Sequence, residues 1–158
     1  MPGLTALAQP QVIVVGAGPA GSATAYHLAR AGVPTLLIDK SAFPRDKVCG
    51  DCLSPRAQHY LARLGLLDAV AAESHQATSI QFRAPGGADA QTAIIGDGEM
   101  PNRTLVLPRR RFDQLLQQQA LAAGALFRVG HVRGLAAGGG VALDGETLPA
   151  RLVVIATG

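Results

Sequence analysis

The residue types and spacing most suited to chemistry occur in a glycine-rich segment near the N-terminus. It consists of Gly16, Ala17, Gly18, Pro19, Ala20 and Gly21. In a strand–turn–helix, the first glycine allows a tight turn, the second lets the backbone approach a pyrophosphate, and the third permits close helix packing. The phosphates then lie at the helix N-terminus, where unpaired N–H groups and the positive end of the helix dipole favour an anion. The segment therefore predicts a dinucleotide site.

An acidic residue at the end of the next apolar run supports this prediction. Asp39 directly follows the apolar run at residues 35–38. A carboxylate at this position can accept hydrogen bonds from the adenosine ribose hydroxyls. The same negative charge repels a 2′-phosphate, which disfavours NADP. The glycine motif alone leaves FAD and NAD open, and the alternative is a glycine-rich turn in an unrelated α/β domain.

Cys49 and Cys52 form the CxxC pair of the chain. Such a pair can form a redox disulfide, although a small side chain packed near the cofactor is the favoured interpretation of each cysteine. No second pair completes four zinc ligands, so we predict no metal site. The histidines show no catalytic spacing, and we assign no catalytic residue; they are His27, His59, His75 and His131.

The surrounding pattern supplies the elements that position the glycine segment. Val12–Val15 is an apolar, β-branched run typical of a buried strand, residues 20–31 are good helix formers, and residues 35–38 form a second apolar run. This order predicts a βαβ unit with two parallel strands.

The rest of the chain extends the α/β pattern. Ser54 and Pro55 predict a helix start, and a second helix is expected over residues 110–123. Strands are expected at residues 80–82, 93–95, 105–107, 126–129, 132–135 and 152–156, with turns at 138–140 and 144–145. The fold class is thus α/β, a Rossmann-like FAD/NAD(P)-binding domain with a parallel sheet, a small β meander and a partial β excursion at 77–107 toward a substrate domain.

Composition narrows the function classes. The 158 residues are 48% hydrophobic and 16% charged, which suits one globular domain. The net charge is +3, but the basic residues are scattered and aromatics make up 4%, which disfavours nucleic-acid binding. The N-terminus has no basic signal-peptide region, and no stretch approaches the roughly 20 apolar residues of a membrane span. A cytoplasmic location is expected.

Three segments resemble one family. Residues 40–55 resemble the loop of the geranylgeranyl reductase family, within the p-hydroxybenzoate hydroxylase-like flavoproteins, in which "PRxKxCG" precedes "LSPR". Arg109, Phe112, Asp113 and Leu116 repeat the group's "RxxFDxxL" helix, and residues 152–158 resemble its strand ending in "ATG". The resemblance covers most of the chain except the middle β excursion. It implies FAD rather than NAD.

The resemblance also implies residue roles. The three motif glycines hold the pyrophosphate, Asp39 binds the adenosine ribose, and Arg109 contacts the FAD phosphate or ribityl region. Arg45, Lys47, Cys49 and Gly50 are implied to lie along the cofactor and near the flavin ring, and the backbone of Val132 to face the adenine. The full predicted set is Gly16, Ala17, Gly18, Pro19, Ala20, Gly21, Asp39, Lys40, Arg45, Lys47, Cys49, Gly50, Arg109, Val132, Ala156, Thr157 and Gly158.

The implied function is that of an FAD-dependent oxidoreductase, a reductase of apolar or isoprenoid-like substrates. The alternatives are a flavin monooxygenase or halogenase, and a noncatalytic nucleotide-binding module that requires another polypeptide. The group's later "GD" motif and its substrate domain are missing from residues 1–158. We therefore expect one FAD-binding domain that is the N-terminal part of a longer enzyme, with the missing half or a second chain as partner. The substrate and the oligomeric state are left open, as is activity of the isolated chain.

Overall fold

A computed structural model describes residues 9–96, 98 and 100–158. The chain forms two compact units, one containing the residues up to Arg45 together with Asp113–Gly158, the other Asp46–Phe112. The elements in chain order are β1 (Val12–Val15), α1 (Pro19–Arg30), β2 (Thr35–Asp39), β3 (Cys52–Leu53), α2 (Pro55–Arg63), α3 (Leu67–Glu73), β4 (His75–Ala77), β5 (Ser79–Arg83), β6 (Asp89–Ala93), β7 (Thr104–Val106), α4 (Arg109–Ala122), β8 (Leu126–Val129), β9 (Val132–Leu135), β10 (Val141–Leu143), β11 (Glu146–Leu148) and β12 (Leu152–Ile155).

A four-stranded parallel sheet organises the first unit. Its strand order is β12-β1-β2-β8, so β1 lies in the interior of the sheet with β2 and β12 on either side. All four residues of β1 are buried, as expected for an apolar strand covered on both faces. The predicted βαβ unit and its parallel strands are confirmed.

The two faces of β1 and β2 are covered by different elements. Helix α1 packs on β1 and β2. Ile13, Val15 and Ile38 instead form a core cluster with Val141 and Leu143 of the antiparallel meander β11-β10-β9. Because side chains alternate along a strand, one continuous apolar run can serve both layers.

The second unit contains short antiparallel elements. Strands β3, β7 and β4 form one sheet, and β5 and β6 form a separate hairpin. Ser54 caps α2, because its Oγ accepts a hydrogen bond from the N–H of Ala57 at 3.2 Å, as the sequence predicts.

One strand prediction for this unit was wrong in its bounds, and one helix was not predicted. The strand expected at 93–95 is β6, Asp89–Ala93, because the turn after Arg83 sets the register in which Ser79 pairs with Ala93. Helix α3 was not predicted, because its seven residues are too few to show a clear period, and it buries only Val70 among them. No helix of the described ranges is long and apolar enough to cross a membrane.

Candidate dinucleotide site

The glycine turn begins at Gly16, which leaves β1 with φ +99°. This left-handed conformation favours glycine. A Cβ at this position would also overlap the carbonyl oxygen of Ala156 and lie 2.9 Å from the Cα of Thr157. Glycine is therefore required at this position both because the turn needs a positive φ and because the backbone after β12 leaves no room for a side chain.

Gly21 sets how closely α1 packs on the turn. A Cβ there would overlap the carbonyl oxygen of Gly16 and lie 3.4 Å from the Cβ of Ala156. The next residue, Ser22, is fully buried, and its hydroxyl donates to the carbonyl of Ala17 at 3.0 Å. The first turn of α1 is thus held directly against the end of β1.

Gly18 differs from the other two glycines because the space around it is open. It is the N-cap of α1, in an extended conformation with φ −70° and ψ −172°. Apart from its neighbours along the chain, the described residues bring one heavy atom within 4 Å of a Cβ built there, Nη2 of Arg45 at 3.8 Å. Since glycine has no side chain to accept hydrogen bonds from the first turn, the helix N-terminus keeps the unpaired N–H groups that suit a phosphate.

Asp39 lies beside this turn at the end of β2. Its side chain is 8% exposed, and its Oδ2 accepts a hydrogen bond from the N–H of Ala17 at 2.8 Å. Its Oδ1 accepts from the N–H of Ser41 at 3.1 Å. The predicted ribose-binding carboxylate is therefore fixed relative to the predicted phosphate site.

Arg45 lies between two carboxylates. Its Nη2 is 3.3 Å from Oδ2 of Asp39, and its Nη1 is 3.2 Å from Oδ2 of Asp113, which is fully buried. Its guanidinium carbon lies 4.8 Å from the centre of the Phe43 ring. The sequence placed Asp113 in a helix motif but gave no sign of this ion pair, because the two residues are far apart along the chain.

The other predicted site residues of the first unit occupy varied positions. Lys40 is exposed directly after Asp39. The backbone of Ala156 and Thr157 occupies the position that a side chain at Gly16 would need, and exposed Gly158 is the next residue. Val132 pairs with Leu143 and packs against the core cluster of the meander.

Three predicted residues lie together in the second unit. Lys47, Cys49 and Arg109 line an open cavity of about 270 Å³, and exposed Gly50 follows Cys49. Asp51 accepts a hydrogen bond from the backbone N–H of Arg109 at 3.1 Å, which connects the cysteine loop to the start of α4. Sequence reasoning assigned Asp51 no role.

The two cysteines are not joined to each other. Both are free and exposed. Cys52 lies on β3, with its Sγ 3.0 Å from Oγ1 of Thr104 on the neighbouring strand β7. Redox chemistry at the CxxC pair stays a prediction.

The start of α4 also carries an exposed ion pair. Arg111 Nε is 2.6 Å from Oε2 of Glu73, and Nη2 of the same guanidinium is 2.7 Å from Oε1. This bidentate hydrogen bond is the main cause that lowers the pKa of Glu73. Desolvation opposes it with a smaller effect, and Coulomb attraction by the same arginine lowers the pKa slightly further. The pair fixes the end of α3 to α4.

The sequence and fold were compared with known proteins. A family described as an FAD binding domain matches residues 9–141. A menaquinone reductase of Mycolicibacterium smegmatis is 41% identical over 123 residues, which are 75% of this chain and 28% of that protein. Digeranylgeranylglycerophospholipid reductase 1 of Methanothermobacter thermautotrophicus is 32% identical over 75% of this chain and 29% of its own length.

A solved structure agrees in fold. The myxobacterial chondrochloren halogenase CndH superposes with a TM-score of 0.80 and 28% identity, over 94% of this chain and 37% of that chain. The chain therefore spans less than a third of the two reductases and somewhat more of the halogenase. The predicted fold class and the predicted cofactor, FAD, are confirmed.

Proposed function

The chain belongs to the FAD binding domain family, and we propose that it supplies the ADP-binding part of an FAD-dependent oxidoreductase. The observation that carries the proposal is the open space at Gly18 beside a fixed Asp39. A pyrophosphate can approach the α1 N-terminus only where no side chain intervenes, and Gly18 is the one motif glycine whose Cβ position is unobstructed by backbone.

Different groups at the turn bind different parts of the cofactor. The first-turn N–H groups of α1 hold the pyrophosphate, and its negative charge is favoured by the helix dipole. The Asp39 carboxylate accepts hydrogen bonds from the ribose hydroxyls. When bound, FAD supplies the hydride chemistry, while the protein binds and orients it.

We also propose that this chain is part of an enzyme that reduces an apolar, isoprenoid-like substrate. The names of the two reductases above include a quinone and a geranylgeranyl lipid, and both match three-quarters of this chain. A flavin-dependent halogenase or monooxygenase is the second candidate, favoured by the similarity to the halogenase structure. A third candidate is a nucleotide-binding module that acts only with another polypeptide.

Titration of the purified chain with FAD tests the proposal. Binding is followed by the change in flavin absorbance and fluorescence. Gly18→Val fills the open space and is expected to abolish binding. Gly86→Val is the matched control, since Gly86 lies in the second unit and a Cβ there meets no atom of the described part of the chain within 4 Å.

Wild-type binding, lost in Gly18→Val and kept in the control, supports the site. A wild-type chain that takes up no FAD overturns the proposal, and unchanged binding by a folded Gly18→Val variant overturns the assignment of the phosphate site.

A further inference from the structure

We propose that Arg45 is a positioning residue for ribose recognition, which acts by holding the carboxylate of Asp39 in place. The inference rests on the proposed function, because Asp39 must face an adenosine ribose. It gives Arg45 a specific role at the ADP end of the cofactor, where the sequence resemblance implies only a position along the cofactor and near the flavin ring.

The hydrogen bonds around Asp39 leave room for a ligand. The carboxylate offers about four acceptor sites. Among the described residues it has three donors, the N–H groups of Ala17 and Ser41 and the guanidinium of Arg45. These donors fix both oxygens while a further acceptor site is left for a ribose hydroxyl.

Asp113 is what keeps Arg45 in this position. It is fully buried, and a buried carboxylate is costly without a cationic partner, so the pair with Arg45 is strongly favoured once the helix has formed. The Arg45 side chain is only 15% exposed, and the Phe43 ring contacts the guanidinium. Arg45 is thus held by two groups other than the one it positions.

The guanidinium shape is essential to this arrangement. Its planar fork directs Nη1 to Asp113 and Nη2 to Asp39 at the same time. A lysine ammonium is a compact point charge on a flexible stem and cannot reproduce the fork. Arg45→Lys is therefore expected to keep the positive charge but to lose much of the positioning.

Another role for Arg45 must be separated from this one. Its Nη2 lies 3.8 Å from the Cβ position of Gly18, so Arg45 could contact the pyrophosphate directly. The two roles differ in which part of the ligand they affect. Positioning of Asp39 increases the affinity only for ligands that have ribose hydroxyls, whereas a phosphate contact increases the affinity for every ligand that carries the diphosphate.

Calorimetric titration with ADP and with 2′,3′-dideoxy-ADP separates the roles. The wild-type chain is expected to bind ADP about tenfold more tightly than the dideoxy compound. This factor is the affinity expected to be lost when the hydrogen bonds from the ribose hydroxyls to a charged group are removed. Arg45→Gln should reduce this preference to roughly twofold or less by weakening ADP binding alone. Arg45→Lys should give an intermediate preference.

Arg128→Gln is the matched control. Arg128 forms an ion pair with Glu146 in the same unit, and both side chains are more exposed than that of Arg45. The control is expected to keep the wild-type preference, and thermal unfolding of each variant establishes that it is folded. If Arg45→Gln does not fold, the reduced preference of Arg45→Lys carries the test.

The failures are distinguishable. Equal weakening of both ligands by Arg45→Gln, or an unchanged preference in a folded Arg45→Lys variant, overturns the inference. A wild-type chain that takes up FAD but shows no preference for ADP also overturns it and leaves the proposed function standing. A chain that takes up no FAD overturns both.

Discussion

The glycine motif can be tested by one pair of substitutions that separates folding from binding. Gly21→Ala adds a methyl group that overlaps the carbonyl oxygen of Gly16, a backbone atom that cannot rotate away. Gly18→Ala adds the same methyl group where the nearest atom is 3.8 Å away, at the end of a flexible arginine side chain. The two variants carry the same chemical change in opposite environments.

The expected magnitudes follow from these contacts. Overpacking typically costs about 1–3 kcal/mol, which for a chain of this size lowers Tm by roughly 2–12 °C in Gly21→Ala. Gly18 has φ −70°, which alanine adopts without strain. Loss of glycine at the N-cap and the lower entropy of the unfolded chain oppose each other, so stability should change by less than about 1 kcal/mol.

Binding should show the reverse order. In Gly18→Ala the methyl group stands between the turn and the pyrophosphate, so we expect FAD affinity to fall at least about tenfold, or about 1.4 kcal/mol. Gly21→Ala should lose less affinity at temperatures where it is folded.

Thermal unfolding followed by circular dichroism and FAD titration followed by fluorescence measure the two effects. A Gly21→Ala variant with the wild-type Tm would refute the close packing of α1 on the turn. Wild-type FAD affinity in Gly18→Ala would refute the reasoning about pyrophosphate approach.

Two further predictions concern the second unit. Ser54→Ala removes the hydrogen bond to the Ala57 N–H and is expected to cost about 1 kcal/mol in a denaturant melt, whereas Ser54→Asp, which can also cap, should keep most of the stability. Because the pKa of Glu73 is lowered by Arg111, its stabilising effect is fully present above the ordinary pKa of glutamate and is lost as pH falls through the lowered native value. Glu73→Gln should therefore be less stable than wild type near neutral pH, and the difference should vanish in acid; a constant difference across the titration would contradict this.

Local chemistry explains which elements the sequence predicted well. The β1 run is apolar throughout and the glycines that follow it admit one kind of turn, so the βαβ unit followed from neighbouring residues alone. The register of the β5–β6 hairpin was harder to predict from the sequence, because it depends on the turn between the strands and the paired residues show only a weak apolar pattern. Helix α3 was missed for the related reason that it has little hydrophobic surface of its own.

The glycine turn, the acid at Asp39 and the resemblance that indicates FAD were all available from the sequence, because each depends on residue type at short spacing. The link from Arg45 to Asp113 was not available, and neither was the close approach of Ala156 to Gly16. These contacts join segments that are distant along the chain, and only packing of α4 and β12 in the first unit brings them together. Sequence thus determined which groups can bind the cofactor, and tertiary structure decided which groups hold them in position.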